Sequence, residues 1–280
     1  MNERIYVVGG DMRQIQLAKE LVNEGYRVKT IALFQEDFSV SELKNADVVI
    51  LPIPASRDNV YINTPLVKER ISLCEALDAL SPECYVLGAC ISDEVEKMLT
   101  QRGLRFEDYY EREELIIKNA IPTAEGAIEI ALSEMPITLY KCRALVVGYG
   151  RVGLVTAQKL HALGADVTVS ARKLSDFAWI EEAGMKYIHT NDLAVHAEGF
   201  DLIVNTVPAV VITEDVLKRV NEDVLIIDLA SKPGGIDMSA AKRLGVNVIW
   251  ALSLPGKCAP VTSGKIIKEA IVNILAPKEV

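Results

Sequence analysis

With 280 residues, half of them hydrophobic and a quarter charged, the chain is long enough for one large core or two ordinary ones of about 100–150 residues. A net charge of −9 and a pI near 5.0 exclude the clustered basic face of a phosphate-backbone binder, so no nucleic acid is expected as a partner. No apolar run reaches the roughly 18–20 residues that span a bilayer, and no leader pattern precedes the first strand, so the expectation is a cytoplasmic protein away from membranes.

Short apolar runs alternate with amphipathic stretches along the whole chain: "RIYVVGG", "RVKTIAL", "ADVVILPI", "ECYVLGA" and "LRFED", then "RALVVGYG", "DVTVSA", "DLIVNTVP", "VLIIDLA" and "VNVIWAL". Such alternation is the mark of βαβ units around a parallel sheet covered on both faces. The expected class is α/β, with two doubly wound, Rossmann-like domains and a cleft between them. The duplication is legible directly. At an offset of 139 positions Gly9 aligns with Gly148, Ala18 with Ala157, Leu21 with Leu160, Gly25 with Gly164 and Val28 with Val167. Residues 1–118 read as a substrate or catalytic domain, 119–261 as a dinucleotide-binding domain, and 262–280 as an amphipathic helix that returns to the first domain and stops at Pro277.

The first copy opens with "GGDMRQ", where Asp11 and Gln14 occupy the places of the second and third glycines of a dinucleotide fingerprint. A carboxylate there repels pyrophosphate, and a Cβ blocks close approach of the backbone. This turn is therefore free for another task, with Asp11 and Arg13 facing a ligand; alternatively Arg13 simply pairs with Asp11. Strand ends further on contribute Ser56 and Ser92. The segment "KNAIPTAEG" holds Asn119, Thr123 and Glu125, with Thr123 expected to cap a helix that starts there.

The second copy carries the complete fingerprint, "GYGRVG", between a strand and a helix. Gly148 makes the tight turn, Gly150 admits the pyrophosphate and Gly153 lets helix and strand pack closely, while Tyr149, Arg151 and Val152 complete the cofactor loop. The next strand ends in Ser170, Ala171, Arg172 and Lys173, where NAD-binding proteins usually show an acid. An acid would repel a 2′-phosphate; Ser170, Arg172 and Lys173 would receive it, so NADP is favoured, with NAD possible if these are only solvated charges. Asn205, Thr206, Val207 and Pro208 should pass the nicotinamide ribose, and "DLASKPGG", with Asp228, Ala230 and Lys232, should close the nicotinamide end.

No histidine falls at an expected strand end: His161 lies on the fingerprint helix, and His189 and His196 flank a later one. That speaks against simple 2-hydroxy-acid oxidation with an imidazole base. The five cysteines lack metal or redox spacing and read as reduced core residues; no metal is expected.

Taken together, "VVGGDMRQ", "ERxxxxIxNAIPTAEGAI", "VVGYGRVG", "NTVPA", "IDLASKPGGID" and "LPGKCAPVTSGKII" resemble the A subunits of dipicolinate synthase, a sporulation enzyme of endospore-forming bacteria. The resemblance runs the length of the chain. It implies oxidation of a cyclic dihydropyridine dicarboxylate, derived from a lysine-pathway intermediate, with NADP⁺ as hydride acceptor. It also implies a partner, the flavoprotein-like B subunit of dipicolinate synthase, and a homo-oligomer is expected besides. From position and chemistry, and not from the resemblance, Arg13, Ser56, Ser92 and Thr123 are expected to bind carboxylates, and Glu125 or Lys232 to handle the proton. Another two-domain NAD(P)-dependent dehydrogenase of small amino or hydroxy acids, or a non-catalytic NADP-binding subunit, are the alternatives.

Overall fold

The computed structural model describes residues 3–34 and 38–276, which form two compact units. One comprises the chain up to Lys118 together with the segment from Ala259 onward; the other is Asn119–Cys258.

In the first unit, β1 (Arg4–Val8) leads into α1 (Met12–Asn23), β2 (Arg27–Ile31), β3 (Val48–Ile50), α2 (Leu73–Asp78), β4 (Tyr85–Gly88), α3 (Asp93–Gln101) and β5 (Arg105–Asp108). The strands pair in parallel in the order β2-β1-β3-β4-β5. Helix α4 (Glu113–Glu134) runs across the boundary between the units. The second unit then builds β6 (Arg143–Val147), α5 (Arg151–Ala162), β7 (Asp166–Ala171), α6 (Leu174–Glu182), β8 (Lys186–His189), α7 (Leu193–His196), β9 (Leu202–Asn205), α8 (Glu214–Leu217), β10 (Leu225–Asp228), α9 (Met238–Leu244), β11 (Asn247–Trp250) and α10 (Leu254–Cys258). Its parallel sheet has the order β11-β10-β9-β6-β7-β8.

The order of the second sheet is that of dinucleotide-binding domains, with the reversal between β6 and β9; the first has the shorter flavodoxin-like order, with its reversal between β1 and β3. The repeat is nevertheless carried into space. Strands β1 and β6, helices α1 and α5, and strands β2 and β7 each begin 139 positions apart. Strands β3, β4, β9 and β10 are buried throughout, and β1, β6 and β7 are buried after an exposed first residue, as a sheet covered on two faces requires. One strand, β8, had no counterpart in the apolar runs of the sequence. It is a sheet edge of composition "KYIH" with two exposed residues, so it needs no continuous apolar run.

Helix α11 (Pro260–Leu275) belongs to the first unit and buries Ile266, Ile267, Ala270 and Ile271 in the core around β1, with Leu17 and Leu21 of α1. A Cβ at Gly264 would stand 2.7 Å from the Arg13 carbonyl oxygen, so α1 and α11 touch backbone to backbone where α1 begins. Pro277, expected to end this helix, lies outside the described residues.

A salt bridge ties the start of β1 to the residue before β3. The Arg4 amide and Nε donate to Asp47 Oδ2 at 2.7 and 3.0 Å, and Nη2 donates to Oδ1 at 2.8 Å. The second copy keeps the backbone part of this lock, the Arg143 amide donating to Asp201 at 2.8 Å. The Arg4 side chain and then its amide hold the Asp47 carboxyl down at about 2. A depressed carboxyl stabilises the fold above its ordinary value and loses that contribution as pH falls through its folded one. Unfolding midpoints followed from about pH 4 to about pH 2 are therefore expected to fall less steeply in Asp47→Asn than in the wild type. The effect should be small at neutral pH, because the pair is solvent-screened.

Two cysteines depart from the expected core placement. Cys74, on the outer side of α2, and Cys90, in the loop after β4, are exposed, while Cys84 and Cys142 are buried and pushed up to about 11 by that burial. All five are free thiols.

Candidate functional site

The dinucleotide cradle of the second unit is built by three glycines with three different constraints. Gly148, immediately after β6, has φ +99°, and a Cβ there would lie 2.6 Å from Thr206 Oγ1. Gly153 faces back onto the turn: its Cβ would lie 2.1 Å from the Gly148 carbonyl oxygen. Gly150 is different, since a Cβ on it would meet nothing within 4 Å. It caps α5 in an extended conformation with no side chain over the helix amides. Open space above the first turn of a twelve-residue helix, with no side chain capping it, is the shape that a pyrophosphate requires. In the first unit the same place is filled. Asp11 caps α1 and accepts from the Arg13 amide at 3.0 Å, and its carboxylate takes Arg13 Nε and Nη2 at 3.0 and 2.8 Å.

The floor beside the second cradle is a buried polar cluster at the ends of β9 and β10. Asp228, 1% exposed, accepts from Asn205 Nδ2 at 2.7 Å, the Ala230 amide at 3.0 Å and the Gly235 amide at 2.9 Å. Asn205 closes on Val207 in both directions, and Trp250 Nε1 donates to the Ala230 carbonyl. Gly235 is obligatory, because a Cβ would stand 2.0 Å from Asn205 Nδ2. Asp228, Asn205 and Ala230 thus shape the loop from β10 rather than face outward. Pro208 and Lys232 lie on the surface of the two loops so shaped, and Val207 and Thr206 are half-buried between them. Tyr149 packs on the core of this unit.

Several hydroxyls singled out from the sequence as ligand donors are committed internally. A hydroxyl has one proton to give. Ser56 gives it to the Tyr61 carbonyl at 2.6 Å, Ser92 to Asn59 Oδ1 at 2.9 Å, Thr123 to the Asn119 carbonyl at 2.8 Å, and Thr206 to the Val147 carbonyl at 2.9 Å. Ser92 moreover caps α3, whose first turn carries Asp93, Glu94 and Glu96 and would repel a carboxylate. Thr123 is not an N-cap: α4 begins at Glu113, so Asn119, Thr123 and Glu125 sit mid-helix, where backbone amides are already used. Glu125 pairs with Lys159 at 2.8 Å, eight residues into α5, which is about 12 Å along the axis from its start. The pair lies on the surface, with the Glu125 side chain 55% exposed, and away from the fingerprint.

Ser170 also departs from expectation. It is fully buried and hydrogen-bonded to Thr190 Oγ1 at 2.9 Å, so it does not face a phosphate. Arg172 and Lys173 are exposed and make no ion pair among the described residues. In the first unit Arg13 is 5% exposed; burial opposes its charge, but Asp11 raises its pKa overall. Its Nη2 also donates to the Ile53 carbonyl at 3.2 Å, which spans the reversal between β1 and β3. Its Nη1 has no protein partner among the described residues. Arg57, also exposed at that edge, donates to Asn63 at 3.0 Å. No metal-ligating cluster and no helix long and apolar enough to cross a membrane occur among the described residues.

Sheet order, fingerprint and open helix N-terminus together define an NAD(P)-binding protein of dehydrogenase type, built from two parallel-sheet α/β domains. The chain is 31% identical over 284 residues, 98% of its own length and 96% of the relative's, to the A subunit of dipicolinate synthase from Bacillus subtilis (strain 168). It belongs to the family of dipicolinate synthase A subunits. Residues 4–110 match the model of the N-terminal domain of that family, and 118–277 that of the alanine dehydrogenase/PNT C-terminal domain. The crystal structure of the dipicolinate synthase A subunit from Bacillus halodurans superposes with a TM-score of 0.91 at 30% identity, covering 98% of each chain. A transhydrogenase from Sinorhizobium meliloti shares the fold alone, with a TM-score of 0.71 at 16% identity over 98% of this chain and 93% of that one.

Proposed function

We propose that this chain is the dehydrogenase subunit of a dipicolinate-forming enzyme, removing a hydride and a proton from a cyclic dihydropyridine dicarboxylate with NADP⁺ as oxidant. The reading is carried by one observation above all: an open fingerprint cradle followed by a strand end that presents Arg172 and Lys173 without an acid. Bound NADP⁺ would supply the hydride acceptor. The amides at the start of α5 would hold its pyrophosphate, and the loop set by Asp228 would line the nicotinamide end.

The substrate's two carboxylates ask for cationic partners. In the first unit the free Nη1 of Arg13 and the exposed Arg57 answer to that description. Of the two residues considered for the proton, Glu125 is engaged with Lys159, which leaves Lys232. Loss of hydride and proton yields an aromatic pyridine, so holding the ring in place is the larger part of the task. The chain would work with a second, flavoprotein-like subunit in the cytoplasm of a sporulating cell.

Calorimetric titration with NADP⁺ and NAD⁺ tests the cofactor assignment. The wild type should prefer NADP⁺, and Arg172→Ala should weaken NADP⁺ by roughly 10- to 100-fold while leaving NAD⁺ within about twofold. Equal affinity of the wild type for both would overturn the NADP reading.

A further inference from the structure

We propose that His189 is a specificity-determining residue for the cofactor, donating a hydrogen bond to the 2′-phosphate beside Arg172 and Lys173. The inference rests on the NADP reading and extends it to a residue that lies on a different strand.

The placement follows from strand register. In β7 and β8 Ala171 pairs with His189, so the histidine stands level with the residue immediately before Arg172, one strand spacing of about 4.8 Å away. The sequence alone put His189 beside a helix, because the edge strand that it ends has no apolar run. Both strand ends point to the carboxyl edge of the sheet, the edge at which α5 begins. Thr190 locks them together: its Oγ1 donates to the Ala171 carbonyl at 3.0 Å and accepts from Ser170 Oγ at 2.9 Å. The buried Ser170 therefore braces the two strand ends from within, where the sequence had suggested that it faced the phosphate.

The chemistry of the ring follows from its own bonds. His189 Nδ1 accepts the Asn191 amide at 3.1 Å. In the neutral imidazole the proton must then sit on Nε2, which makes that nitrogen a donor. The ring is held edge-on to Phe177, with centroids 6.2 Å apart, and Phe177 is itself stacked on Tyr187 at 4.6 Å. Nε2–H has no protein partner among the described residues, and the residue is only half-buried. A fixed, unpartnered donor next to two unpaired cations suits an anion with several acceptor oxygens. A 2′-hydroxyl, with one proton and no charge, gains little from all three.

His189→Asn is the discriminating variant, because an asparagine at this position can still accept the amide two residues on and so keeps the turn, while losing the Nε2 donor. Titrations with NADP⁺, NAD⁺ and the fragment 2′-AMP should show NADP⁺ and 2′-AMP weakened by roughly tenfold and NAD⁺ unchanged within about twofold, at an unaltered melting temperature. A merely structural histidine would move NADP⁺ and NAD⁺ together, and that result would overturn the inference. If Arg172→Ala lowers the NADP⁺ to NAD⁺ preference and His189→Asn does not, the role of His189 falls and the NADP reading stands. If the wild type itself does not discriminate, both fall.

Discussion

Gly150→Ala should lose at least about 100-fold in dinucleotide affinity, close to 2.7 kcal/mol, while its melting temperature stays within about 2 °C of the wild type. The two halves of that expectation have separate causes. A Cβ at Gly150 meets no protein atom within 4 Å, and the residue's extended conformation suits any amino acid, so the fold has no reason to object. The space that the Cβ would enter is the space above the α5 amides, and a pyrophosphate held there loses its backbone contact. Gly153→Ala is the contrasting control. Its Cβ would be driven to 2.1 Å from the Gly148 carbonyl oxygen and 2.8 Å from the carbonyl carbon, neither of which can rotate away. That variant should lose both affinity and stability, the latter by about 3 kcal/mol or more, seen as a melting point lower by about 6–12 °C. Undiminished binding by Gly150→Ala would show that the cradle holds no pyrophosphate.

The second large effect is expected at Asp228. Its carboxylate accepts from three buried donors, Asn205 Nδ2 and the amides of Ala230 and Gly235. Removing it in Asp228→Ala strands those three donors away from water, each at about 1–3 kcal/mol, so a loss of roughly 3–9 kcal/mol is expected. In thermal unfolding this amounts to about 10 °C or more for a chain of this size. Asp228→Asn should fall between the two, because its Oδ1 can replace one carboxylate oxygen while its amide nitrogen presents a donor to donors. Since the loop after β10 depends on this carboxylate, cofactor affinity should fall in step with stability. An Asp228→Ala protein with wild-type stability would mean that water replaces the carboxylate at little cost, and that the cluster does not organise the loop.

The fingerprint was legible in the sequence because its constraints are local: three glycines, a strand before and a helix after, all within a dozen residues. The same is true of the duplication, since equal spacing of strand, turn and helix needs no knowledge of how distant segments pair. The capping role expected of Thr123 failed for a related reason. Local residue types favoured a helix start there, but the packed faces of Ala120, Ala124, Ala127 and Ala131 carry the helix through from Glu113 despite Pro122. Tertiary burial outweighed local preference.

By itself the sequence determined the α/β class, the doubled plan, the unit that binds a dinucleotide and the absence of an acid after β7, because periodicity and glycine spacing are properties of contiguous chain. Strand order was decided only by the tertiary structure, and with it the difference between a flavodoxin-like first sheet and a dinucleotide-type second one. So were the partners of the polar side chains. Whether Ser56, Ser92, Thr123 and Ser170 face a ligand or a neighbouring carbonyl or hydroxyl depends on which segments meet, and each found its acceptor within the fold. His189 shows the converse. Nothing in "KYIH" announces a site, and only the pairing of β7 with β8 brings its ring level with the turn that carries Arg172.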